Sequence, residues 1–207
     1  MRAAVVVLQA LEGAQHKLPT TPDARALRRL YFTRAVFSAL WVGSVFAFAG
    51  TSTNQPSPPV VVLLVIYPLW DAVATMFDLS ADRTGRSRLP QLLNLAFDIA
   101  AAIGIGLALI TGTDAAVGVF GVWAVLAGAL QLLLGLRRRR QGGQWAMIAS
   151  GAISVIAGIS FVFSSISGNS SLTSLAGYSL FGAVWFLIAA LFLTRAITSE
   201  RRPRTAA

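Results

Sequence analysis

Ala115-Ala-Val-Gly-Val-Phe-Gly-Val-Trp-Ala-Val-Leu-Ala-Gly-Ala-Leu-Gln-Leu-Leu-Leu-Gly135 contains no charged residue, and Leu136 and the run Arg137-Arg138-Arg139-Arg140 follow it directly. A helix rises about 1.5 Å per residue and a bilayer's hydrocarbon core is about 30 Å thick, so a run of this length crosses it once. Lipid offers no partner to backbone N–H and C=O groups, so the segment must satisfy them within itself as a helix. Five further runs have the same character. The approximate spans are 32–50, 59–79, 91–110, 115–135, 145–164 and 174–194. The chain of 207 residues is 56% hydrophobic and 12% charged, against about 45–50% and 25% in soluble domains. Too few polar residues remain to coat a water-soluble fold. The expected fold class is all-α: a polytopic membrane protein of six transmembrane helices.

The charges sort by side. Arg2, Lys17, Arg25, Arg28, Arg29 and Arg34 precede or open the first span; Arg83, Arg86 and Arg88 follow the second; Arg137 to Arg140 follow the fourth; Arg195, Arg201, Arg202 and Arg204 follow the sixth. The loops after spans one, three and five carry no basic residue. Cytoplasmic loops collect Lys and Arg, so both termini are expected in the cytoplasm, which requires an even number of spans. Three regions follow: a cytoplasmic or interfacial arm at 1–31, a membrane domain at 32–194 and a basic cytoplasmic tail at 195–207. Within the arm, Met1-Arg2 before Ala3 to Leu11 superficially resembles a signal peptide, but the apolar stretch is short and lacks a cleavage site, so it is read as retained. Thr21-Pro22 reads as a helix start, and the segment with Arg25, Arg28 and Arg29 as an interfacial helix entering span one.

The spans repeat. Gly43, Gly104 and Gly158 sit at equivalent depths in spans one, three and five, each preceded four residues earlier by Ala39, Ala100 or Ser154. Small residues at this spacing share one helix face and let backbones approach. Trp70, Trp123 and Trp185 recur in the even spans. The pattern predicts three tandem helical hairpins whose odd helices meet through their small faces.

Several chemistries are excluded. With no cysteine, thiol catalysis, disulfides and Cys-based metal sites are impossible,. The single histidine, His16, removes His clusters and serine–histidine triads, and no metal site or cofactor is expected. The net charge of +9 reads as orientation rather than nucleic-acid binding. Gly104-Ile-Gly106 lacks the third glycine and the preceding strand of a dinucleotide motif, and Asn169-Ser-Ser171 is a sequon that matters only in a eukaryotic secretory pathway. The preference for Arg over Lys, with abundant Ala, points to a GC-rich bacterial genome.

Ionisable groups within spans are functional candidates by default. Asp71 and Asp98 each lie some eight or nine residues from the loop joining spans two and three, at one level about 12–14 Å deep in adjacent antiparallel helices. No basic residue is expected at that depth, since Arg34 belongs near the interface. Two desolvated carboxylates side by side do not readily both ionise, so a shared proton would make the pair a proton-responsive site; the alternative is that one or both stay protonated and only hydrogen-bond across helices, or open onto a polar crevice, without carrying anything. Asp78, on roughly the same face as Asp71, is expected to form an interfacial ion pair with Arg34. Asn94 and Gln131 are expected to bridge helices. Arg137, Arg138, Arg139 and Arg140 end a span and are placed to meet anionic lipid headgroups on the cytoplasmic side.

Gly118-Val-Phe-Gly-Val-Trp-Ala-Val-Leu-Ala-Gly128, Gln131-Leu-Leu-Leu-Gly135 with its basic cluster, Gln144-Trp145 to Gly158, and Tyr67-Pro-Leu-Trp-Asp-Ala72 together resemble the HdeD-like membrane proteins, which carry a short repeat classed as a domain of unknown function. The resemblance covers spans two to six. It implies a six-helix, multi-pass protein of the bacterial plasma (inner) membrane, whose best-known relative is associated with acid resistance, and it supplies no catalytic residue or ligand. The expectation is a non-enzymatic membrane protein in envelope or acid-stress response. The alternatives are a small transporter or proton conductor using Asp71 and Asp98, and, last, a membrane enzyme acting on lipid or isoprenoid substrates. The expected partners are membrane lipids; homo-oligomerisation through small-residue faces stays open, and no nucleic acid is expected.

Overall fold

Six helices follow one another in the computed structural model, which describes residues 21–49, 57–81, 88–137, 139 and 145–200: α1 Thr21–Ala49, α2 Pro58–Ala81, α3 Arg88–Thr111, α4 Thr113–Arg137, α5 Trp145–Ile166 and α6 Leu172–Glu200. Each contains a stretch long and apolar enough to cross a membrane, and the described residues contain no strand. The outward faces carry large apolar side chains such as Ile110, 81% exposed, and Ile166, 77% exposed. Such exposure is at home in lipid and not in water. This is a multi-pass membrane protein. The arm before residue 21 and the tail after residue 200 lie outside the described residues. The segment with Arg25, Arg28 and Arg29 and the first span form one continuous helix, α1.

Helix ends follow local chemistry. Pro58 and Pro59 open α2, where a missing N–H leaves no intrahelical bond unmade. Gly168 closes α5 with a φ of 65°. There Asn169 N–H donates to the Ser164 carbonyl at 3.0 Å and Gly168 N–H to the Ser165 carbonyl at 3.2 Å, the pair of bonds that defines a Schellman ending. Within α2, Pro68 lacks the N–H that would reach the Leu64 carbonyl. Beside that gap the Leu63 carbonyl accepts the Trp41 indole N–H of α1 at 2.7 Å.

The helices form a closed ring in chain order: each packs on its chain neighbours, and α6 closes against α1. The expectation that the odd helices meet through their small faces is therefore corrected, because in such a ring an even helix stands between each pair of odd ones. The closest approach is α4 against α5. A Cβ on Gly151 would lie 2.7 Å from the Gly128 carbonyl oxygen, and one on Gly158 would lie 2.6 Å from that of Gly121. The glycines recur every seven residues on both helices: 121, 128 and 135 face 151 and 158. Ser154 is buried against Gly128, and Gly104 meets Val119 of α4. Ala39, Gly43 and Ala100 are exposed, and an added Cβ at Gly43 would meet nothing within 4 Å.

All six helices contribute to one apolar core, including Trp41, Leu64, Ile105, Phe120, Phe161 and Leu175. Aromatic rings tie it together. Tyr67 lies 4.7 Å from Trp41 and 5.8 Å from both Phe120 and Trp123, centroid to centroid.

Candidate functional site

The core is interrupted on one level by a polar cluster. Asp98 of α3 is completely buried. Its Oδ1 accepts the Trp123 indole N–H of α4 at 2.8 Å, and its Oδ2 accepts the Asn94 side-chain amide at 2.9 Å. The same Asn94 nitrogen lies 3.0 Å from Thr75 Oγ1 and 3.3 Å from Asp71 Oδ2, both on α2. Asn94 and Asp98 are four residues apart, hence on one helix face, which is why a single amide reaches both carboxylates. Asp71 and Asp98 are thus joined through Asn94.

Arg34 corrects the expectation that no basic residue stands at this depth: its Nη2 lies 2.8 Å from Asp71 Oδ1, and both side chains are about one-fifth exposed. The long aliphatic stem lets the charge reach from the α1 backbone to Asp71,. The guanidinium also lies 5.6 Å from the centre of the Phe186 ring of α6, within cation–π range. Asp78, the partner expected for Arg34 at the interface, has its side chain outside the described residues. Formally the cluster holds two carboxylates and one guanidinium, so a single added proton brings it to neutrality.

A vestibule with a volume of about 150 Å³ leads to this cluster, and all six helices line it. Its polar wall is Arg34, Asp71, Thr75, Gln91, Asn94 and Gln131; Tyr31, Leu134, Met147 and Phe186 are among its apolar residues. It lies where α1, α3 and α5 begin and α2, α4 and α6 end, the end that also carries Arg28, Arg29, Arg88, Arg137, Arg139 and Arg195. Arg137 and Arg139 are exposed there, while Arg138 and Arg140 lie outside the described residues. At the opposite end, Asp114 fastens the α5–α6 loop: its carbonyl accepts the Ser165 hydroxyl at 2.7 Å, and its carboxylate accepts the Ser170 N–H at 3.1 Å.

Sequence reasoning missed three parts of the site. Trp123 stood only as a repeat marker, yet its fellows do other things: Trp70 stacks on Phe37 with centroids 4.5 Å apart. Thr75 gave no signal beyond its place one turn after Asp71. Arg34 was placed too shallow. Among the described residues no group of three or more His, Cys, Asp or Glu side chains is arranged to hold a metal ion.

Residues 96–163 match a family described as a short repeat of unknown function (DUF308). The match runs from within α3 to within α5, so it includes Asp98, Trp123 and the facing glycines but not Arg34 or Asp71. It covers about a third of the chain, and it is a likeness of that segment. No curated protein and no solved structure matches the chain.

Proposed function

We propose that this chain is a non-enzymatic protein of the bacterial inner membrane that acts in envelope or acid-stress response through a proton-responsive cluster at Asp71 and Asp98. The observation that carries the reading is the pair of carboxylates bridged by Asn94 and balanced by one guanidinium. Ionisable groups within membrane spans are costly and by default mark a function. The short-repeat match supports kinship with HdeD-like proteins and hence the stress association. In this reading the basic end is cytoplasmic, both termini are cytoplasmic, and the chain is built as three tandem hairpins. Arg137 to Arg140 rest on anionic headgroups, and the exposed small residues Ala39 and Gly43 are where a second copy would pack.

The test is survival of an acid challenge by cells lacking the protein, complemented with wild type or with Asp98→Asn. Wild type restores survival and Asp98→Asn does not. Equal survival of all strains would overturn the stress role.

A second reading, a small transporter or proton conductor using the same aspartates, is favoured by the vestibule that reaches Asp71. Proton flux into liposomes under an imposed pH gradient separates the two. Flux above empty liposomes that Asp71→Asn or Asp98→Asn abolishes selects the conductor.

A further inference from the structure

The cluster is open toward one end of the ring and closed toward the other. From the basic end the vestibule touches Arg34, Asp71, Thr75 and Asn94, with room for several waters among polar partners. Asp98 does not line it. The carboxylate lies one hydrogen bond further in, behind Asn94. Past Asp98 the last polar groups are hydroxyls: Tyr67 beside Ser38 and Ser179, and Tyr178 bonded to Ser154 at 2.6 Å. Beyond these the ring is filled by Trp41, Val45, Leu64, Ile105, Val117 and Leu175, each no more than 2% exposed. Close-packed aliphatic and aromatic side chains from five helices fill that half,.

The groups that face the two carboxylates can be named helix by helix. α1 supplies Arg34 and Tyr31, α2 supplies Tyr67 and Thr75, α4 supplies the uncharged Trp123 and Gln131, and α6 supplies Tyr178, whose hydroxyl is bonded to Ser154 of α5. Among the described residues the carboxylate at the far end is Asp114, which accepts the Ser170 N–H in the α5–α6 loop and is separated from Asp98 by the apolar plug.

We infer that the cluster is a dead end for protons. A proton enters from the basic end and crosses the vestibule to Asp71; the Asn94 amide donates to both carboxylates and so couples the charge state of Asp71 to Asp98 without carrying the proton itself. The proton leaves by the same route. The protein therefore reads the pH of one compartment and does not conduct between two. This inference rests on the cluster's being proton-responsive, and it adds which side sets its state and that binding occurs without passage.

The experiment uses wild-type protein in supported bilayers, with infrared spectroscopy following the carboxylic-acid stretch while the pH of one face is changed at a time. Asp71→Asn and Asp98→Asn identify the band by its loss. Orientation is read with an impermeant maleimide at Arg139→Cys for the basic end and at Ser167→Cys for the opposite end, in a chain that otherwise has no cysteine. The expected result is that the whole band change follows the basic face, that none follows the opposite face, and that liposomes show no proton flux above empty ones. A band that follows the opposite face, or both faces, or a flux abolished by Asp98→Asn, overturns the dead end while leaving the cluster proton-responsive. A carboxyl band that moves with neither face overturns the proton-responsive reading itself, and this inference with it.

Discussion

Asp98 shows what a buried carboxylate needs in order to stay in a membrane core. Each of its oxygens accepts an N–H, from Trp123 at 2.8 Å and from Asn94 at 2.9 Å. Replacing Trp123 with Phe keeps most of the ring packing and deletes one donor, leaving a buried acceptor unpaired. The expected loss is about 1.5–3 kcal/mol, the range for hydrogen bonds to charged groups, read as a lowered unfolding midpoint in detergent. Arg34→Met removes the guanidinium from Asp71. A fully sealed pair would cost about 3–5 kcal/mol on losing one partner, whereas replacing both partners by apolar groups is often neutral. The vestibule wets this pair, so about 2 kcal/mol is expected for Arg34→Met, and Arg34→Met combined with Asp71→Leu should recover most of it. Additive losses in the double variant would mean that the two side chains are not coupled. Both aspartates were legible in the sequence because a charge inside an apolar run stands out. The Arg34 contact was not, because linear position places the backbone of a long side chain and not its charge.

At the scale of the helix, packing is decided by the glycines of α4 and α5. An alanine at Gly151 would put Cβ 2.6 Å from the Leu132 backbone nitrogen, and one at Gly158 meets the Gly121 carbonyl oxygen at the same distance. Backbone cannot turn aside as a side chain can, so the two helices would have to separate. Gly158→Ala is expected to destabilise by about 1–3 kcal/mol, the usual range for overpacking. Gly43→Ala, with nothing within 4 Å, should be close to neutral, and equal effects at the two positions would refute the close contact. Gly168→Ala forces a non-glycine residue into the left-handed region and should cost about 1–2 kcal/mol. The six helices could be read from run length alone, most ends lying within a few residues, although α1 begins eleven residues before its expected span and α6 runs six beyond its own. Their partners could not. A four-residue stripe of small residues marks a face able to pack, and it is present on α1 and α3, where Ala39, Gly43 and Ala100 are exposed. The seven-residue spacing on α4 and α5 is what two helices in sustained contact show, and it becomes legible only when both helices are compared.

The whole molecule is a ring that α6 closes against α1, with Tyr31 packed beside Ala190 and Leu193. Closure in chain order with an even number of helices brings the start of α1 and the end of α6 to the same end. That is also where the described arginines gather. Arginine-rich loops resist translocation, so this end should face the cytoplasm. The chain's lack of cysteine makes the prediction directly measurable. In intact cells an impermeant maleimide should label Ser167→Cys, in the turn after α5, and should reach Arg139→Cys, just past α4, only after the membrane is permeabilised. The reverse pattern would invert the protein and place the vestibule on the outer face, so that the cluster would read external acidity directly. Labelling of both sites from outside would put the ends of α4 and α5 on one side of the membrane, which no up-and-down ring of six spanning helices allows. The orientation thus decides which compartment's pH the buried carboxylates report, and the labelling fixes it independently of any measurement on the cluster.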